Sequence, residues 1–65
     1  MRGKNRIEEI IIKNRKPKKA IAFEAKLSEA ELSRIINHKS SPTFETMIKI
    51  AEALNKDIWD VFYVD

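Results

Sequence analysis

Between Glu24 and Ile35 the chain reads EAKLSEAELSRI, a stretch with neither Gly nor Pro in which every residue but the two serines is a fair or good helix former. Propensity alone makes it one helix. The placement of Ser28 argues for a break. If a helix starts after it, the Ser28 hydroxyl accepts from the Glu31 N–H while the Glu31 carboxylate reaches back to the Ser28 N–H, a reciprocal capping box. In the same register Leu27 precedes the cap and Leu32 is the fourth helical residue, so the two can close as a hydrophobic staple. A continuous helix gives neither pair a reason. The chain is expected to break at Lys26-Leu27-Ser28, leaving two short helices on either side of a tight turn.

Periodicity supplies the other elements. Ile7, Ile10 and Ile11 fall at helical spacing, and Pro17 with the polar cluster before it ends a first helix over about residues 5–14. From Lys18 to Ala25, Ile21, Ala22 and Ala25 share one stripe, and Pro17 suits the first turn because its missing N–H has no partner to lose there. Thr43 can cap a fourth helix with Phe44, Met47, Ile48, Ile50, Ala51 and Leu54 as its core face and Asn55 as a left-handed stop. Asp57 then opens a short helix through Ile58, Val61 and Phe62. No run alternates with period two for long enough to demand a strand, although residues 61–64 can extend that way. The expected class is all α, five short helices in one domain over residues 1–65, with residues 1–4 flexible.

A chain of 65 residues buries only roughly 60% of its unfolded surface, enough for one small core. It has no cysteine and a single histidine, His38, so neither a disulfide nor a thiolate metal site is available, and His38 is read as a loop residue. The apolar run Ile10-Ile11-Ile12 is too short for a signal-peptide core or a membrane span, which predicts a cytoplasmic protein. The net charge of +3 hides an asymmetry: residues 1–39 hold 11 Lys or Arg against five acids, and residues 40–65 hold two against five. The densest run, Lys13-Asn14-Arg15-Lys16-Pro17-Lys18-Lys19, attracts a polyanion, with nucleic acid the commonest candidate. There is no Gly-rich phosphate loop, no nucleophile beside a His and no carboxylate pair set in a cleft, so neither an enzyme nor a cofactor is expected.

Two short helices joined by a turn, the second following a basic entry, form the helix-turn-helix arrangement, here over residues 18–37. From Lys18 to Lys39, KKAIAFEAKLSEAELSRIINHK, the sequence resembles the phage repressor and Cro type of helix-turn-helix, the XRE-like regulators, with no gap. Ala22 matches the small residue where the two helices touch, and Ile21, Leu27, Leu32 and Ile35 match core positions. The likeness continues through SPTFETMIKIAEALNKDIWDVF, residues 41–62, and implies a compact five-helix, lambda-repressor-like DNA-binding domain. The family usually has Gly in the turn and after its first and third helices, where this chain has Lys26, Arg15 and His38. Each is expected to hold a positive φ at a cost of about 1 kcal/mol. Many members also carry an Arg–Glu ion pair at positions occupied here by Ile11 and Ile36, which are predicted to pack together instead.

The resemblance implies that the second helix of the motif lies in the major groove and the first crosses the backbone. By position, Ser28, Glu29, Ala30, Ser33 and Arg34 face the bases. Arg34 can fork to guanine O6 and N7, Ala30 can touch a thymine methyl and Glu29 can accept from cytosine N4. Glu31 is assigned to the cap, and Glu24 to solvent. Phosphates fall to Lys18, Lys19, Asn37, Lys39, Ser40 and Thr43, with Arg15 and Lys16 in support. So small a reader is expected to bind double-stranded DNA as a homodimer on a palindromic operator, joined through Trp59 and Tyr63 within residues 57–65. The reading is that of a prokaryotic or phage-encoded, nucleoid-associated repressor, with no membrane partner and no small-molecule ligand. The alternative is a protein-interaction module of the same fold, an antitoxin or antirepressor-like partner that does not touch DNA.

Overall fold

The structure is a computed structural model that describes residues 3–64. Its elements are β1 (Gly3–Asn5), α1 (Ile7–Asn14), α2 (Lys18–Glu24), α3 (Glu29–Ile36), α4 (Phe44–Ala53), α5 (Ile58–Val61) and β2 (Phe62–Val64). The five helices stand as expected, and each of the last three is started by a side chain. Ser28 Oγ accepts from the Glu31 N–H at 3.0 Å, Thr43 Oγ1 from Thr46 at 3.2 Å and Asp57 Oδ1 from Trp59 at 3.4 Å. Pro17 caps α2 from outside, in extended conformation, rather than sitting in its first turn.

The helix ends follow from backbone accounting. Arg15, Lys26, His38 and Asn55 all have positive φ, between 55° and 62°. After α2 the Leu27 N–H donates to the Ala22 carbonyl at 2.8 Å and the Lys26 N–H to Phe23 at 3.1 Å, the paired bonds of a Schellman closure. The same pair recurs after α3, from Lys39 to Arg34 and from His38 to Ile35, and after α4, from Lys56 to Ala51 and from Asn55 to Glu52. Three helices therefore stop by one device, and none uses glycine.

The core is made by one stripe from each helix. Ile7, Ile10 and Ile11, then Ile21, Ala22 and Ala25, then Leu32, Ile35 and Ile36, then Ile50, Ala51, Ala53 and Leu54, close with Val61 and Phe62. Leu27, Met47 and Ile58 pack at its margin. Ile11 and Ile36, predicted to pack together, are both buried in this one cluster, so neither position holds a charge that must be desolvated. Two residues expected in the core are not there: Phe44 is 56% exposed and Ile48 37%. A ten-residue helix buries one stripe, and here it runs through Met47, Ile50, Ala51 and Leu54; Ile48 flanks that stripe, and Phe44 overhangs the core from the first turn.

The sheet departs most from expectation. β1 and β2 pair antiparallel, with Gly3 opposite Val64, Lys4 opposite Tyr63 and Asn5 opposite Phe62. Gly3 and Lys4, expected to be flexible, thus belong to a strand, while Met1 and Arg2 lie outside the described residues. The strand also shortens the first helix, which starts at Ile7 rather than near residue 5. Asn5 then does two jobs: its Oδ1 accepts from the Ile7 N–H, and its Nδ2 donates to the Ile35 carbonyl at 3.2 Å. The Arg6 N–H adds a 2.7 Å bond to the Val61 carbonyl. The N-terminal segment is thereby tied to the last turn of α3 and to the end of α5.

Candidate nucleic-acid interface

The α2–α3 turn sets the site. With Lys26 left-handed and Leu27 drawn back onto Ala22, α3 leaves the turn with Leu32, Ile35 and Ile36 buried. That rotation puts Ser28, Glu29, Ala30 and Arg34 in solvent and leaves Ser33 half-buried. The five residues expected to read bases therefore occupy the start and the outward side of one short helix.

Glu31 behaves differently from its assignment. Among the described residues its carboxylate makes no return bond to the Ser28 N–H, so the capping box is half formed. Instead Oε2 accepts from the Ser40 hydroxyl at 3.1 Å, and Oε1 lies 3.5 Å from the Arg34 guanidinium. These contacts bring the loop after α3 against the helix itself. Asn37 closes the same region, its Nδ2 donating to the Ser33 carbonyl at 2.9 Å.

The cations expected to hold phosphate divide into two groups. Lys19 and Lys39 are exposed and make no ion pair among the described residues. Lys18 pairs with Glu8 of α1 at 3.1 Å, and Lys16 is engaged twice: at 2.8 Å with Glu24 and at 3.0 Å as donor to the Ala53 carbonyl. Lys16 thus fastens α2 to the end of α4, and Glu24, assigned to solvent, is its partner. Thr43 is exposed at the head of α4, where its hydroxyl both accepts from the Thr46 N–H and donates to the Thr46 hydroxyl at 3.0 Å.

At the other end Trp59 is 65% exposed, its ring centroid 6.3 Å from that of Phe44. Tyr63 lies under the Arg6 guanidinium at 4.4 Å, a cation–π contact. Both aromatic residues line a shallow groove with Ile35, Pro42, Met47 and Phe62. Sequence reading missed Phe44 as the exposed neighbour of Trp59 because its spacing fits the core stripe of α4. No residue pattern near Glu31 announces its bond to Ser40, since the partner arrives through a loop.

A helix-turn-helix family model, HTH_3, matches residues 7–58, and the chain belongs to that family. It is a DNA-binding transcriptional regulator of the XRE type. No curated protein matches the chain. Among the described residues no helix is long and apolar enough to cross a membrane.

Proposed function

We propose that the protein is a repressor that binds a palindromic operator as a homodimer, with α3 in the major groove of each half-site. One observation carries this reading: Ser28, Glu29, Ala30 and Arg34 are exposed together on a helix whose opposite side is locked into the core. Ser33 completes the base-reading set. Arg34 supplies a fork for guanine, and Glu29 favours cytosine while repelling phosphate elsewhere, which penalises sites lacking that base. Lys19 and Lys39 are the principal phosphate anchors, with Lys18, Asn37, Ser40 and Thr43 around them.

The exposed pair of Trp59 and Phe44, with Tyr63 lining the same groove as Trp59, supports self-association, because exposed aromatics grouped on a surface mark interfaces more often than plain surface. Bacterial or phage cytoplasm, on the nucleoid, is the setting this function requires. The test is selection from a random double-stranded DNA pool. Enrichment of inverted repeats with half-site centres about one helical turn apart, roughly 10 base pairs, is the expected result. A pool that shows no enriched sequence rejects DNA reading and favours a protein-binding role for the same face.

A further inference from the structure

We infer that Glu31 is a positioning residue for sequence recognition: without contacting DNA, its carboxylate aims Arg34 at a base and holds Ser40 at the edge of the same surface. This rests on the DNA-reading function proposed above. Glu31 is the third residue of α3 and is half-buried, so its side chain stays close to the helix while its two oxygens serve different partners. Oε1 faces the Arg34 guanidinium one turn later, at 3.5 Å, and Oε2 accepts from Ser40 at 3.1 Å, nine residues on.

The chemistry of the pair explains what it accomplishes. An arginine has a flexible stem and a planar head with five N–H donors. Contact with Glu31 at one terminal nitrogen restricts the stem and leaves the remaining donors available for guanine O6 and N7. Less rotamer entropy is then lost when the fork closes on the base. Ser40 gains in the same way. The Schellman closure at His38 turns the chain back after α3, and the bond to Glu31 fixes where the following loop rests. One carboxylate thereby sets the spacing between a base-reading side chain and a phosphate-side hydroxyl.

The negative charge has a second effect. Glu31 offsets the Arg34 cation wherever no guanine competes for it, so Arg34 is a poorer general anchor for phosphate. A side chain that would add affinity to every sequence is converted into one that discriminates. Glu31 differs in this from Glu29, which is exposed and makes no ion pair or side-chain hydrogen bond among the described residues.

The experiment compares wild type, Glu31→Gln, Glu31→Ala and Arg34→Ala on the operator enriched from the random pool and on versions of it substituted one base pair at a time. Glutamine keeps an oxygen for Ser40 but carries no charge for Arg34. Arg34→Ala should lose discrimination at one base pair, on the order of ten-fold for a good arginine–guanine fork. Glu31→Gln should lose discrimination at that same pair while binding non-cognate DNA at least as tightly as wild type. Glu31→Ala should in addition lose affinity for the operator, because Ser40 is released. Thermal midpoints of all variants, followed by circular dichroism, monitor folding. If Arg34→Ala relaxes one position and Glu31→Gln leaves it intact, or weakens all sequences equally, the positioning role is overturned although DNA reading stands. If Arg34→Ala changes no base preference, or no operator is enriched, the base-reading assignment falls and the role of Glu31 with it.

Discussion

Replacing Lys26 by Gly should stabilise the domain, and the size of the gain follows from one backbone angle. Lys26 has a φ of 59° at the corner between α2 and α3. An L-residue with a Cβ pays about 1–2 kcal/mol in the left-handed region, and Gly avoids that cost. Gly also frees the unfolded chain, which returns roughly 0.5–1 kcal/mol to the unfolded state. The difference leaves a net gain of about 0.5–1 kcal/mol, because both Schellman bonds at the corner use backbone groups and survive the change. For a domain of this size that raises the thermal midpoint by about 2–8 °C. Lys26 is exposed and makes no ion pair among the described residues, so loss of its side chain should cost little. Lys26→Ala isolates the backbone effect: it removes the same ammonium and keeps the Cβ. Circular dichroism melts of the three proteins decide the matter. A Gly variant no more stable than the Ala variant would refute the reasoning, since the strain assigned to the turn would then be absent.

Three further outcomes can be measured directly. Ile36→Glu buries an unpaired carboxylate in the core and should destabilise the protein by about 3–5 kcal/mol in urea melts, and adding Ile11→Arg should recover part of that loss; a single variant as stable as wild type would remove Ile36 from the core. Lys19→Ala should lower the slope of log K against log salt by about one, and Lys18→Ala by less because Glu8 already partners that ammonium; equal slopes for both variants and wild type would show that neither touches phosphate. Trp59→Ala should abolish concentration-dependent sedimentation, whereas a wild-type protein that stays monomeric at high concentration would sink the dimer.

Which parts of the structure could be read from residues alone depended on whether the deciding interaction was local. The break before Ser28 was legible because the cap and its N–H donor lie three residues apart; of the four positive-φ corners, Asn55 was legible as a left-handed stop, and Arg15, Lys26 and His38 through the resemblance, which puts Gly at those places. The strand pair was not, since its partners lie about 60 residues apart and three-residue strands have too few positions to show a period. Phe44 and Ile48 were misplaced because helical spacing says which residues share a side and not how far the core extends beneath them. At the interface, the outward residues of α3 followed from the register of the cap. The occupied state of Lys16 and the redirected carboxylate of Glu31 did not, because Ala53 and Ser40 reach them only through tertiary structure.

The pairing of Gly3 with Val64 brings the two outermost described residues side by side. A designed loop of three residues running from Val64 to Gly3, a common length for a β-hairpin, would join the strands directly. The two strands would then become neighbours in sequence, and the contact with the greatest separation among the described residues would become one of the most local. Such a permutant could be opened elsewhere, at an exposed position such as Ser41 between α3 and α4, while the elements themselves keep their places.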